Sequence, residues 1–197
     1  MTIWLGVDPG TQTGAKAGGI ALLSPKYSQV WPMPSMKLSH GRGTDHAGLM
    51  KVVEELLDCR ICGEHSAIDR SGYLATIEQP LLFMRQGGNK LWENYGCAKQ
   101  CLTDHYIQVQ DISPNDWQKV IFGKTFQQMS RLAGKKIFEK QYPGIIHAEA
   151  RCRLMINGTD GDDADEDLRT SHGKVHTGIA CAILIAEAGR LLHEKQG

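Results

Sequence analysis

The sequence predicts an α/β fold, a mixed five-stranded sheet with helices packed on it. Its first three strands form an antiparallel meander, and the fourth and fifth come later, between helices. Two patterns carry this. Three short apolar runs, 3–8, 19–23 and 29–31, follow one another closely near the N-terminus, as hairpin-linked strands do. From residue 47 onward, segments with apolar residues at helical spacing alternate with further short apolar runs. The 197 residues and the 41% hydrophobic content suit one domain, 1–197, with a sizeable core.

The elements follow in order. Residues 3–8 are apolar except for the last, Asp8, and Pro9–Gly14 supplies a turn rich in Gly and Thr. Residues 34–45 are polar and rich in Gly, Ser and His, so a loop is expected. Leu49, Val52, Val53, Leu56 and Leu57 make one face of a helix over 47–57. Tyr73–Ile77 is the fourth strand and ends at Glu78. Leu91, Tyr95, Ala98 and Leu102 mark a helix over 89–104, and Tyr106–Val109 is the fifth strand. Ser113–Pro114 reads as an N-cap followed by proline in the first turn, opening a helix that ends at Gly123. A further helix over 127–141 is expected to stop at Tyr142–Pro143–Gly144, with a polar, acidic loop over 157–174. Residues 178–192 form a last, strongly apolar helix.

Charge is balanced, 22 Lys plus Arg against 22 Asp plus Glu, but unevenly placed. Acids gather in Asp160–Asp167 and cations in Lys119–Lys140, so a basic surface can exist within a neutral total. No run approaches the roughly 18 apolar residues of a membrane helix, and no signal-peptide pattern opens the chain. A cytoplasmic setting, bacterial or phage-encoded, is the expectation. Cys59–Cys62 has zinc-ligand spacing, and Cys97 and Cys101 lie one helical turn apart. These pairs read either as a closed zinc site or, more economically, as reduced cysteines on inner helix faces.

The chemistry-bearing residues are Asp8 and Glu78. Each is a carboxylate ending an apolar run, followed by a breaker: Pro9–Gly10 in one case, Gln79–Pro80 in the other. Asp8 alone could simply build a turn, and Glu78 alone could simply be solvated. Together, on neighbouring strands, they would repel unless a cation neutralised them, which points to metal-assisted chemistry on phosphate.

Gly6–Val7–Asp8–Pro9–Gly10 with Thr13–Gly14, Ile77–Glu78–Gln79–Pro80, Ile112–Ser113–Pro114–Asn115–Asp116–Trp117–Gln118–Lys119 and the helix Gly178–Ala186 stand in a telling order. The chain resembles the RuvC-type Holliday junction resolvases, most of all their short phage, bacterial and organellar branch. The resemblance spans nearly the whole chain. It implies an RNase H-like fold, a homodimer, and Mg²⁺- or Mn²⁺-dependent cutting of four-way DNA junctions with two ions per site. It implies that Asp8 bridges both ions and that Glu78 binds one of them.

The pattern is broken at the last helix. Where the family places acids, this chain has Thr177 and Cys181, neither a good ligand for a hard ion. Three accounts are open: His176 stands in as catalytic group and metal ligand, an acid of Asp160–Asp167 enters the site, or catalysis is impaired. The first is slightly favoured.

Arg85, Lys90, Lys119, Lys124, Arg131, Lys135 and Lys136 are candidates for DNA phosphate contacts, in or beside helices expected to flank the acids. Met84–Asn89, directly after the Glu78 strand, is a loop suited to a junction centre. Trp92 and Tyr95 read as core or dimer contacts before base-stacking groups. The leading reading is therefore a branched-DNA endonuclease. A catalytically impaired branched-DNA binder of the same fold is second. Half of an actin-like or sugar-kinase-like ATPase is a distant third, because the chain is too short for both halves.

Overall fold

The computed structural model describes residues 2–11, 17–24, 28–38, 41–57, 72–81, 88–170 and 172–195. Its main sheet has five strands: β1 (Ile3–Thr11), β2 (Ala17–Leu23), β3 (Ser28–Pro32), β6 (Tyr73–Glu78) and β7 (Gln108–Ile112). Their spatial order is β3-β2-β1-β6-β7. The first three pair antiparallel, while β6 runs parallel to β1 and β7 parallel to β6. The expected meander and the expected central pairing of the first strand with the Glu78 strand are both present.

Alternation along the strands divides the interior in two. Ile3, Leu5, Val7, Ile20, Leu22, Tyr73, Ala75 and Ile77 face α1 (His46–Leu57) and α2 (Gly88–Asp104). Trp4, Ala21 and Leu23 face the other way, toward α3 (Pro114–Phe122), α5 (Lys135–Ile156) and α7 (Thr177–Glu194). The last helix lies directly on the sheet because glycines remove the side chains between them. A Cβ on Gly6 would overlap the Ala182 carbonyl oxygen, and one on Gly178 would overlap that of Ala17. Glu187, on this helix and only 2% exposed, is held by Arg153 at 3.0 Å and Arg190 at 2.8 Å.

Five expectations need correction. The first strand does not stop at Asp8: Pro9, Gly10 and Thr11, expected in a turn, continue β1, with an irregularity in its pairing to β2 between Asp8 and Thr11. The loop over 34–45 contains a hairpin, β4 (Ser35–Leu38) and β5 (Gly41–Thr44). The fifth sheet strand begins at Gln108, because Tyr106, at φ 60°, closes a turn after α2. The helix expected over 127–141 is broken at Gly134 (φ 85°), giving α4 (Phe126–Ala133) and then α5, which runs straight through Pro143. Proline inside a helix costs about 3 kcal/mol. Here Phe138 before it and Ile146, Ala150 and Leu154 after it are buried, and that packing keeps the helix continuous. Finally, the acidic segment 157–174 contains a short helix, α6 (Gly161–Asp167), whose N-cap Asp160 accepts from the Asp162 amide.

Candidate active site

The two acids sit where the sheet topology puts them. Val7 and Ile77 form the last pair of the parallel β1–β6 ladder, so Asp8 and Glu78, the next residues on each strand, stand at the same level where that ladder ends, Glu78 as the last residue of β6 and Asp8 within β1, which continues to Thr11. Both side chains point to the α7 face, since Gly6 and Thr76, two residues earlier, pack against α7. Ligands of open α/β sheets sit at the carboxyl ends of strands where the connections diverge, and β1 is such a point here.

Burial dominates the electrostatics. It raises the Asp8 carboxyl well above the usual range, and the neighbouring Glu78 raises it further, against a bond from the Gly10 amide. Glu78 is pushed up to about 7 by burial, with the Trp117 indole pulling the other way. Asp8 Oδ1 accepts from Gly10 N at 3.0 Å, so a local backbone bond and the shared site coexist in one carboxylate. Glu78 Oε2 accepts from Trp117 Nε1 at 2.5 Å. Asn94 of α2, buried, donates from Nδ2 to the Pro9 carbonyl at 3.3 Å and accepts at Oδ1 from Thr44 N at 3.2 Å. It fastens the end of β1 that carries Asp8.

Cys181 and Tyr142 complete the wall. The Cys181 thiol is raised far above its ordinary value by burial, then by Asp8 and Glu78, so it stands neutral. The Tyr142 hydroxyl lies 3.7 Å from that sulfur and is raised for the same reasons, burial first. Tyr142 meets Phe126 edge-on at 4.9 Å, and Phe126 meets Trp117 at 5.4 Å. An aromatic stack from α3, α4 and α5 thus backs the acids.

Asp8, Glu78 and His176 do not converge as a metal-ligating trio; among the described residues no three His, Cys, Asp or Glu side chains do. His176 is buried and turned onto its own helix, where Nδ1 accepts from Ile179 N at 3.2 Å as the α7 N-cap. It lines a cavity of about 600 Å³ with Trp31, Met33 and Arg169, among others. In the acidic segment, Asp165 pairs with Arg169 at 2.7 Å and with His147 at 3.1 Å, and among the described residues the charged neighbour raising Asp8 is Glu78.

Lys119, Lys124, Arg131 and Lys135 are exposed on the same layer as the acids, on or beside α3, α4 and α5. Lys135 pairs loosely with Glu139 at 3.9 Å. Lys90 belongs to α2, across the sheet. Arg85, the stretch 84–87 of the expected loop, Cys59 and Cys62 lie outside the described residues, and Gly88 and Asn89 open α2. Cys101 is buried beside Met50 Sδ at 3.2 Å, its thiol raised to about 11, chiefly by burial. Trp92 and Tyr95 pack edge-on at 5.3 Å against the second core, and Tyr95 donates to Asp111 at 2.7 Å.

The chain aligns over 99% of its length with Thermus thermophilus RuvC in complex with a Holliday junction substrate, covering 96% of that chain at a TM-score of 0.52 and 14% identity. Its fold is that of RuvC. A second Thermus thermophilus RuvC structure matches over 99% of this chain and 97% of that one, at a TM-score of 0.51 and 12% identity. No protein-family model matches the chain, and no curated protein sequence does. Within this RuvC fold, the structure brings together Asp8 and Glu78, which the sequence singles out, and sets beside them Trp117, Tyr142 and Asn94, which it does not. Trp117 lies in the Ile112–Lys119 segment, but its indole role depends on α3 packing over the end of β6.

The paired acids make a pH prediction for the protein without divalent ions. Glu78 holds its proton more tightly folded than unfolded, so the folded state binds more protons and stability falls as pH rises. The fall should run between pH 4.5 and about 7, the ordinary and shifted values. Its size should be roughly 2–3 kcal/mol. Chemical denaturation in a chelating buffer at pH 5 and pH 8 measures it. A flat profile would mean that the acids are not crowded.

Proposed function

We propose that this chain is a divalent-metal-dependent endonuclease that cuts four-way or other branched DNA, working as a homodimer. The observation that carries the reading is the placement of Asp8 beside Glu78 where the β1–β6 ladder ends, two half-buried carboxylates whose charges are costly unless a cation joins them.

The donor set fits a hard ion. Asp8 and Glu78 would hold Mg²⁺ or Mn²⁺ through oxygen, with water and substrate phosphate filling the remainder, the usual arrangement for Mg²⁺. Such an ion lowers the pKa of attacking water and offsets charge developing on the phosphodiester. A second ion, as the resemblance implies, would need a further oxygen donor, and the neutral Cys181 thiol is not one. The chain's own residues do the positioning. Gly10 N fixes one Asp8 oxygen, Trp117 Nε1 fixes one Glu78 oxygen, and the aromatic stack limits water behind them. Lys119, Lys124 and Arg131 would hold phosphates of the flanking strand.

Cys181 and Thr177 favour a second reading, a branched-DNA binder with impaired catalysis. One assay separates the two. A synthetic four-way junction is incubated with the protein across a Mg²⁺ and Mn²⁺ titration. Nicking near the branch supports the nuclease; binding with no nicking in either metal supports the binder; and absence of both removes the proposal.

Trp117→Phe keeps the ring and deletes the donor. Glu78 then holds its proton more tightly, because the indole bond opposes protonation. Cleavage at pH 7 should fall about 10–100-fold, the usual loss when a group orienting a metal ligand is removed. It should recover partly at higher pH. An unchanged pH–rate profile would reduce Trp117 to packing.

A further inference from the structure

The elbow between α4 and α5 carries an apolar tip that the proposed chemistry leaves unused. Leu132 and Ile137 flank Gly134 and are 73% and 56% exposed, large apolar side chains at the tip of a bend. The Ile137 Cδ1 lies beside Gly134, about 4.0 Å from where a Cβ would stand. The base of the elbow is anchored, with Phe126 stacked on Tyr142 at 4.9 Å and Phe138 on Tyr142 at 5.8 Å. Between residues 124 and 140 the sequence carries Lys124, Arg131, Lys135, Lys136 and Lys140 against one acid, Glu139. Lys124, Gln128, Arg131 and Leu132 line a cavity of about 480 Å³ with Gly123.

Resting on the nuclease reading, we propose that this elbow sets Leu132 and Ile137 against unstacked bases at the branch point, while the surrounding cations hold the converging phosphates. The charge selects a polyanion. The apolar tip has nothing to gain from phosphate, and in an intact duplex base faces are covered; at a branch they are open or easily opened. A second copy of the chain is a poor occupant, because a two-fold contact through this patch would set its five cations against their own mates. Position agrees. Tyr142, beside the acids, is five residues from Ile137 on α5, about 7.5 Å along the axis. The tip therefore reaches nucleotides next to the one cut.

The test uses the full chain carrying Asp8→Asn, bound to a four-way junction with 2-aminopurine at the branch. Fluorescence should rise on binding as the reporter base leaves its stack. Adding Leu132→Gln and Ile137→Gln should abolish the rise and reduce the preference for junction over linear duplex about tenfold, with the melting temperature unchanged. If the double variant unfolds, Leu132→Met with Ile137→Met should retain the rise and Leu132→Ser alone should weaken it. An undiminished rise and preference in the glutamine variant would overturn the elbow's role while leaving the nuclease reading intact. Dissociation of a dimer without change in the DNA signals would overturn it in favour of a copy-to-copy contact. Failure of the Asp8→Asn parent to prefer the junction would overturn the nuclease reading, and this inference with it.

Discussion

Asp8→Asn should abolish junction cleavage, by at least about a thousandfold, while junction binding stays within severalfold of the unaltered chain. Several kcal/mol of charge stabilisation come from a bound ion, and each 1.36 kcal/mol is tenfold in rate. The amide is nearly the same shape, and its oxygen can still accept from the Gly10 amide. What disappears is the negative charge that burial and Glu78 both oppose. The variant should therefore be at least as stable as its parent at pH 8 without metal, an exchange of stability for function expected at a site of crowded like charges. Single-turnover cleavage and a binding titration measure the two halves. Normal cutting by the variant would place the reaction elsewhere on the protein.

Gly6→Ala should strongly destabilise the fold. An added Cβ would overlap the Ala182 carbonyl oxygen and come within 2.5 Å of Ala186 N and 2.8 Å of its Cβ. Two of these obstacles are helix backbone, which cannot rotate aside as a side chain can. Overpacking usually costs about 1–3 kcal/mol; with backbone in the way, at least about 3 kcal/mol is expected, or roughly 6–12 °C in melting temperature for a domain of this size. Moving α7 off the sheet would also move Cys181 away from the acids, so residual folded protein should lose activity. Thermal unfolding followed by circular dichroism checks this, and an unchanged melting curve would mean that the helix and strand are not in such contact.

Much of this arrangement was legible in the sequence, and the exceptions share a cause. Asp8 and Glu78 stood out because an apolar strand that ends in an acid is a local pattern, and adjacency of their strands follows from α/β connectivity. The α3 boundaries were equally local: Ser113 accepts from Asp116 N, and Gly123 closes the helix with φ 71°. Pro143 misled because its local preference is overridden by distant partners, the buried faces of Phe138 and Ile146 on either side. The elbow went to Gly134 because a positive φ suits glycine, a signal outweighed in the sequence by the more conspicuous proline. The hairpin of β4 and β5 was hidden by its polar, glycine-rich composition. Trp117 and Tyr142 could not be placed at the site, since nothing local says which helix faces reach the strand ends. His176 illustrates the reverse: a residue type suited to metal, beside the expected helix start, whose ring is instead occupied in capping.

Asn94 has a broader effect than its single amide suggests. The end of β1 just after Asp8 and the end of the hairpin at Thr44, 85 and 50 residues away along the chain, both meet the middle of α2 at its carboxamide. Both ends of that group are engaged, so the end of β1 cannot shift unless the hairpin or the helix shifts too. A disturbance at the outer edge of the molecule, such as a ligand gripping the hairpin, is thereby geared mechanically to the orientation of the acid that would meet the scissile bond.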